Sequence, residues 1–218
     1  MDAGAQDPPH GADPPLRLPS GLEAEGVGRR ALARALLVGL LYQVVAPARG
    51  EAVAFVISVF TTALLMGSLH RLGLLGSGDA KVLVGLAAVL PRPPPGAYTL
   101  FPTLALSAFT NAVFLTSLLP VLFLLKNLKE GLGPGELPRA LLGYRRRVAD
   151  MRPYEVVLEE GGRLKTFYDV RGARLGERPN TEGTVWVTPA IPFLVPLTLG
   201  FLIALLWGDV ISYIILRW

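Results

Sequence analysis

Long stretches without a charged residue are the feature that most restricts how this chain can fold. Uncharged blocks cover residues 35–48, 52–69, 82–91, 93–125 and 184–208. A bilayer core about 30 Å thick needs about 20 apolar helical residues, and about 17 is the lower limit. Three of the five blocks pass that limit. The sequence therefore predicts a protein that crosses a membrane several times.

The two shorter blocks need separate treatment. Block 35–48 spans a bilayer only if its helix starts near Ala31 and Arg34 extends its charge to the headgroups. Block 82–91 gives a helix of about 15 Å at a rise of about 1.5 Å per residue. We therefore expect it to lie at half depth inside a helix bundle, away from lipid.

Composition removes several function classes. The chain has no cysteine and two histidines, so disulfides, thiolate chemistry and a zinc cluster are not expected, and no cofactor is predicted. Its net charge of +4 could suggest nucleic acid, but in a membrane protein the positive-inside rule explains it better. If the blocks alternate across the membrane, most basic residues fall on the side that holds Asp79. That side is therefore predicted to be cytoplasmic.

The expected fold class is an all-α polytopic membrane helix bundle with a small α+β cytoplasmic insertion. Residues 1–30 are polar and rich in proline and read as a disordered tail. Residues 31–126 are predicted to be membrane helices, 127–184 a small cytoplasmic domain, and 185–218 a C-terminal transmembrane helix, with breaks at 92–96 and 131–135.

Inside the cytoplasmic domain, the sequence suggests a basic helix around 137–151 and a β-hairpin of 154–158 with 164–170. The cluster from Arg145 to Arg147 is expected to be a solvated face or a contact to anionic lipid. Trp186 suits an anchor at the membrane interface.

The tetrapeptide Gly76-Ser77-Gly78-Asp79 carries the most chemistry. A carboxylate beside apolar helices is costly and usually marks function. Gly76 and Gly78 allow a backbone or a substrate to approach closely. A structural alternative is that Asp79 simply caps a helix beginning at Ala80, since aspartate suits a helix N-terminus. The two roles are compatible.

The run GLLGSGDAK at 73–81, followed by an apolar helix ending in Leu90-Pro91, resembles the GxGD intramembrane aspartyl proteases, and in particular the archaeal preflagellin/prepilin peptidases. Three further stretches are similar to parts of those peptidases. They are Asn111 within 109–125 with Leu119-Pro120 and Lys126-Asn127, the segment 185–192, and Gly208-Asp209. The resemblance covers about residues 50 to 218.

The resemblance implies hydrolysis of the short basic leader of archaellin or type IV pilin precursors at the cytoplasmic face of the cell membrane. One aspartate would activate a water and a second, protonated, would donate to the scissile carbonyl. Asp79 matches the second aspartate of the family's pair. Lys81 matches a residue that commonly follows it. Two roles are open to it, biasing the charge of the aspartate pair and anchoring the helix at the headgroups, and the anchor is the expected one. Because the chain lacks the cysteine-rich region of larger bacterial relatives, cleavage without methyl transfer is predicted.

The family's first aspartate has a looser counterpart. The run DPPLRLP at 13–19 resembles the family pattern, which makes Asp13 the preferred partner and leaves Glu23 and Glu25 as alternatives. Residues 1–12 are too short and polar to form the family's first transmembrane helix, so the first helix is expected to be missing. Three explanations stay open: a start codon assigned too late, an inactive homologue or assembly factor, or an active variant. A small transporter is a weaker alternative.

Other acidic residues are less suitable partners. Asp209 lies deep in the last apolar block and is expected to lie about 27 Å from Asp79. Asp150 and Asp169 are predicted to be surface residues of the cytoplasmic domain. The expected partners are the leader peptides of the archaellin or pilin precursors and the lipid bilayer, without nucleic acid, and the sequence gives no indication of the oligomeric state.

Overall fold

A computed structural model describes residues 21–45, 51–160, 163–165, 179 and 183–217. The described part is mostly helical and includes a small sheet. Its helices are α1 Gly21–Val45, α2 Glu51–Arg71, α3 Ser77–Val89, α4 Leu104–Ser117, α5 Leu119–Glu130, α6 Leu137–Leu142, α7 Leu194–Leu206 and α8 Val210–Arg217. Its strands are β1 Tyr144–Arg147, β2 Glu155–Val157, β3 Glu159–Glu160, β4 Arg163–Leu164 and β5 Thr184–Pro189.

Helix α1 starts ten residues before the predicted Ala31, at Gly21. Residues 21–30 were assigned to the polar tail, but no proline follows Pro19 there, and a helix can form without interruption. The helix packs on α3 through small residues: a Cβ on Gly39 would collide with the backbone of Ala88, and one on Gly85 would lie 3.3 Å from the Cβ of Ala35. Such small-residue contacts are typical of helices that pack in lipid.

Two helical segments of the described chain are long and apolar enough to cross a bilayer. They are Ala52–Arg71, with 20 residues, and Leu104–Glu130, with 27 residues. The second joins α4 and α5, because Leu118 between them keeps helical dihedrals of −77° and −20°. Their apolar side chains are mostly exposed, whereas the core helix of a water-soluble protein would bury them. These helices indicate membrane association.

The third long block does not form one span. Strand β5 occupies residues 184–189, helix α7 begins only at Leu194, and the helix stops before Gly208, where φ is +95°. A separate helix, α8, starts at Val210. The predicted C-terminal transmembrane helix over 185–218 is therefore replaced by a strand, a helix and, after a break near Gly208, a second helix.

The helical core lies between α2, α3, α4 and α7. Buried side chains from all four helices meet there, and they include Met66, Leu83, Ala87, Ala105, Ala112 and Leu197. Gly200 lets α7 approach α4 closely, since a Cβ on it would lie 2.5 Å from the carbonyl oxygen of Ala108 and 2.7 Å from the backbone nitrogen of Ala112. The core holds α3 in place by its buried face.

Between α5 and α7 the chain forms a three-stranded antiparallel sheet with the order β1-β5-β2. Tyr144 pairs with Val187, and Val156 pairs with Thr188. The predicted basic helix over 137–151 is therefore wrong beyond Leu142. Gly143 ends the helix in extended conformation, and a Cβ on it would collide with the Val187 carbonyl, so only glycine permits this strand contact.

The predicted hairpin is only partly correct. Segment 154–158 pairs with β5, while a short hairpin pairs Glu159 with Leu164. Residues 166–170 of the prediction lie outside the described residues. Trp186 is 7% exposed and clusters with Ala140 and Leu158, so its prediction as a membrane-interface anchor is wrong. Strand β5 is central in the sheet, which covers this tryptophan.

Candidate active site

The turn between α2 and α3 is short and fixed by hydrogen bonds. Gly73 has φ +74° and ends α2 in the left-handed conformation. The Leu74 N–H donates to the Leu69 carbonyl at 2.9 Å, and the Gly73 N–H donates to the His70 carbonyl at 3.0 Å. This pair of bonds is the Schellman motif, which glycine favours because it has no Cβ.

His70 adds a side-chain bond across the same turn. Its Nδ1 lies 3.0 Å from the carbonyl oxygen of Leu75. Because a carbonyl oxygen only accepts, Nδ1 carries the hydrogen and donates. The last turn of α2 therefore holds the residue that directly precedes Gly76. Sequence reasoning missed this contact, and no spacing rule would have indicated it.

Helix α3 begins at Ser77, with Gly76 as its N-cap, so Asp79 is the third helical residue. The idea that Asp79 caps a helix starting at Ala80 is therefore wrong in register. The Ala80 N–H instead donates to the Gly76 carbonyl at 3.1 Å. An acidic residue in the first turn is still favoured by the helix dipole.

The two glycines of the motif have different surroundings. A Cβ on Gly76 would lie 2.8 Å from Oδ2 of Asp79, so the carboxylate folds back over Gly76 and uses the space that a side chain would fill. Gly78 is exposed, and within the described part of the chain a Cβ on it would meet no atom within 4 Å beyond its own helix backbone and chain neighbours. Gly76 thus fits the position of the carboxylate, while Gly78 leaves the outer surface open.

Asp79 lies at the edge of the apolar core. It is half-buried, and Leu75 and Leu83 on either side of it in the chain are buried. Lys81 is half-buried and follows Asp79 by two positions. Residues at i and i+2 of a helix do not face each other, which favours the expected headgroup anchor over a charge partner for Lys81.

The side chains of the predicted partners of Asp79 all lie outside the part of the chain that the structure describes. Asp13 lies outside the described residues. Glu23 and Glu25 belong to α1, but their side chains also lie outside what the structure describes. Asp13, Glu23 and Glu25 therefore stay predictions.

Asp209 and Asn111 form a separate buried network at the break between α7 and α8. The Asp209 carboxylate accepts the N–H and the hydroxyl of Ser212, both at 2.7 Å, and so caps α8. Asn111 Nδ2 donates to the carbonyls of Gly200 and Gly208 at 3.1 and 3.0 Å, and its Oδ1 accepts the Val210 N–H at 2.8 Å. Asn111 and Gly208-Asp209, which both belong to the resemblance, therefore meet here and supply hydrogen bonds to the backbone at the break between α7 and α8.

The sheet domain buries a charged cluster. Glu155 is fully buried and accepts hydrogen bonds from the Tyr144 hydroxyl at 2.6 Å, from Arg146 at 2.9 Å and from the Arg152 N–H at 2.9 Å. Burial raises the pKa of Glu155, but these three donors outweigh burial and hold the pKa below its usual 4.5. Burial also raises the pKa of Tyr144, and the neighbouring carboxylate adds to that rise.

Two of the three arginines in β1 form ion pairs with acidic residues of the same domain. Arg146 bonds Glu155, and Arg145 forms an ion pair with Glu136. The side-chain bond from Arg145 lowers the pKa of Glu136. Of the expected solvated cluster, Arg147 is exposed.

Asn127 fastens the sheet domain to the end of α5. Its buried Nδ2 donates to the carbonyls of Ala140 and Gly143 at 3.0 and 2.7 Å. Beside it, Lys126 Nζ lies 3.6 Å from the centre of the Tyr144 ring. The Lys126-Asn127 pair of the resemblance therefore has a structural role at the junction of helix and sheet.

The sequence matches known proteins over both the helices and the sheet. The sequence model of the peptidase family described as Archaeal Peptidase A24 C-terminus Type II matches residues 139–210. The preflagellin peptidase of Methanococcus voltae is 31% identical over 175 residues, which are 73% of this chain and 75% of the relative. That of Methanocaldococcus jannaschii is 30% identical over 65% of this chain and 66% of the relative.

A third relative, the preflagellin peptidase of Methanococcus maripaludis, is 27% identical over 70% of this chain and 72% of its own length. Taken together, these matches place the chain in a class of archaeal peptidases. The chain belongs to the archaeal preflagellin peptidase family.

Proposed function

We propose that this protein is a membrane-embedded aspartyl endopeptidase. It removes the short basic leader peptide from preflagellin and from related type IV pilin-like precursors at the cytoplasmic face of the cell membrane. Membership of the preflagellin peptidase family supports the substrate class. The observation that carries the mechanism is the carboxylate of Asp79, which is folded over Gly76 in the first turn of α3 at the edge of the apolar core.

The reaction uses two carboxylates with different protonation. One takes a proton from a water molecule as the water oxygen attacks the carbonyl carbon of the scissile peptide bond. The second, protonated, gives its proton to the carbonyl oxygen, which completes a tetrahedral diol intermediate. The first carboxyl then gives its newly gained proton to the amide nitrogen, and the C–N bond breaks as the second carboxylate takes a proton from the diol, so both groups regain their starting protonation. We assign one role to Asp79 and the other to Asp13, with Glu23 and Glu25 as alternative partners. Two neighbouring carboxyls share one proton readily because like charges at close range cannot both ionise cheaply.

The membrane arrangement follows from helix lengths. Segments Ala52–Arg71 and Leu104–Glu130 both reach across a bilayer, while α3, with 13 residues, extends only about 20 Å at about 1.5 Å per residue. In this multi-pass arrangement α2 ends at the α2–α3 turn, α3 and the stretch up to Thr103 lead the chain back to the other side, and α4–α5 crosses again. The α2–α3 turn and the end of α5 therefore lie on the same side. The turn that carries Asp79 therefore faces the same compartment as the sheet domain, which we assign to the cytoplasm.

The open surface at Gly78 gives a precursor access to Asp79. An extended leader must bring its peptide backbone within a few ångströms of a catalytic carboxylate, and any side chain at that position would occupy the approach. Apart from its chain neighbours and its own helix backbone, no atom of the described residues lies within 4 Å of a Cβ built on Gly78. We therefore propose that Gly78 borders the precursor backbone, while Gly76 makes room for Asp79 itself.

The test is cleavage of preflagellin by membranes that contain the full chain, followed by mass spectrometry of the product. Asp79→Asn is expected to lower the rate by about 10²-fold or more, as for loss of a general acid or base. Asp150→Asn is the matched control, because Asp150 is an exposed residue of the sheet domain. Undiminished cleavage by Asp79→Asn would refute the catalytic assignment.

The second carboxylate is tested in the same assay. Asp13→Asn is expected to abolish cleavage as completely as Asp79→Asn. Normal cleavage by Asp13→Asn removes Asp13 from the mechanism, and Glu23→Gln and Glu25→Gln then identify which alternative acts. A folded wild-type chain that cleaves no precursor would instead favour a non-catalytic homologue or assembly factor.

A further inference from the structure

The contact between His70 and Leu75 has a consequence for the site. We propose that His70 is a positioning residue for Asp79: its Nδ1–H fixes the Leu75 carbonyl and thereby the N-cap residue on which the Asp79 carboxylate rests. The proposal relies on the proposed catalytic role of Asp79. The chemistry required at this position is a hydrogen-bond donor at Nδ1, which lies 3.0 Å from the carbonyl oxygen of Leu75.

The path from His70 to Asp79 is short and each step has a contact. His70 belongs to the last turn of α2, and the Schellman motif at Gly73 fixes the end of that helix. The Leu75 side chain is 5% exposed and packs in the helical core, so the residue is held on its apolar side as well. His70 holds the carbonyl of the same residue.

The next residue is the N-cap of α3. Gly76 has extended dihedrals of −67° and 146°, and Oδ2 of Asp79 lies 2.8 Å from the place where its Cβ would be. A rotation of the Leu75–Gly76 peptide group would therefore move the surface against which the carboxylate lies. A shift of about 1 Å in a catalytic group can lower a rate by about 10²-fold.

His70 itself is exposed. Its replacement leaves no large cavity, and the core contacts of Met66, Leu75 and Leu83 stay in place. A purely structural role would therefore appear as lost thermal stability, whereas a positioning role appears as lost turnover in a folded protein. The two side-chain amides separate these roles further, because asparagine places its NH₂ near the position of Nδ1 and glutamine places its NH₂ near that of Nε2.

The experiment compares His70→Asn, His70→Gln and His70→Ala in the full chain, with preflagellin as substrate. We expect kcat to fall about tenfold or more in His70→Gln and His70→Ala, with KM and the thermal midpoint unchanged, and to recover to near the wild-type value in His70→Asn. Ser68→Ala is the matched control, because it removes an exposed side-chain bond to the Leu64 carbonyl in the same helix. Unchanged kcat in His70→Ala, or equal losses in His70→Asn and His70→Ala, would overturn the proposal.

A second measurement keeps this inference separate from the catalytic proposal. Hydrogen exchange of the amides from 76 to 80 is expected to be faster in His70→Gln and His70→Ala than in the wild type, and unchanged in His70→Asn. This result does not depend on cleavage, so failure of Asp79→Asn to lower the rate would remove the catalytic proposal alone. Equal exchange in all four proteins would refute the positioning role.

Discussion

The buried carboxylate of Glu155 gives the sharpest test of what holds the sheet domain together. Glu155→Gln keeps the size of the side chain but removes its charge. All neighbours of the carboxylate are donors: the Tyr144 hydroxyl, the Arg146 guanidinium and the Arg152 N–H, at 2.6 to 2.9 Å. A glutamine NH₂ must therefore face at least one donor, whichever way the amide is turned.

The magnitude follows from burial and from the number of bonds. Removing one partner of a buried ion pair costs about 3–5 kcal/mol. Because the Arg146 side chain is 26% exposed and its charge is partly hydrated, we expect Glu155→Gln to cost about 3 kcal/mol. Tyr144→Phe deletes a single bond to a charged group and is expected to cost about 1.5 kcal/mol. The order Glu155→Gln, then Tyr144→Phe, then wild type is the expected order of increasing stability.

The assay is thermal unfolding followed by fluorescence of Trp186, which is buried in the same sheet. Trp207→Phe and Trp218→Phe make it the single tryptophan. For a domain this small, a loss of about 3 kcal/mol lowers the unfolding midpoint by about 10 °C or more. The lowered pKa of Glu155 adds a pH signature: its stabilisation is present above 4.5 and is lost as the pH falls through the lower value in the folded protein.

The difference between wild type and Glu155→Gln should therefore be full at pH 7 and shrink below pH 4.5. Equal midpoints at pH 7 would refute the role of the ion pair. A difference that stays constant down to pH 3 would show that the charge is not its source.

Three further results are expected. Gly76→Ala should displace the Asp79 carboxylate and lower kcat about tenfold or more without unfolding the protein, whereas Gly78→Ala should keep the fold and raise KM, as cleavage kinetics and a thermal melt can show. Gly200→Ala should destabilise the α4–α7 contact by about 2 kcal/mol in detergent melts, because the added methyl overpacks it. Gly67→Ala is the control and should be neutral or stabilising, because no described atom outside its own helix backbone and chain neighbours lies within 4 Å of the added Cβ. Thr62→Val should raise the midpoint, because the buried Thr62 hydroxyl has no hydrogen-bond partner among the described residues; a lowered midpoint would contradict this.

The helices near the site could be predicted from local sequence. The charge-free block 82–91 predicts a short helix, and the prolines at 93–95 predict the break that follows it. Helix α3 and the non-helical stretch up to Thr103 confirm both. The acidic residue in a helix first turn was also predictable from helix-dipole reasoning, although the register was wrong by three residues because Ser77 and Gly78 are helical.

The sheet could not be predicted in the same way, because its pairings are not local. The YRRR run of β1 has no alternation of apolar and polar residues, and two of its three arginines form ion pairs with Glu136 and Glu155 from other segments. A basic helix was the natural interpretation of such a run. The His70 contact was missed for a similar reason, since it depends on the geometry of a turn. The partner of Asp79 stays a prediction.

The central position of β5 affects how the protein is made. Strand β1 finds its neighbour only when the chain has grown by roughly 40 more residues, since Tyr144 pairs with Val187. During synthesis, β1 and β2 are therefore made after α2 and α4–α5 but have no common partner until β5 follows. Closure of the sheet comes late and immediately precedes α7. A nascent chain that stops before Thr184 lacks β5 and therefore has no means to bury the Glu155 carboxylate in this sheet, which leaves that charge open to solvent.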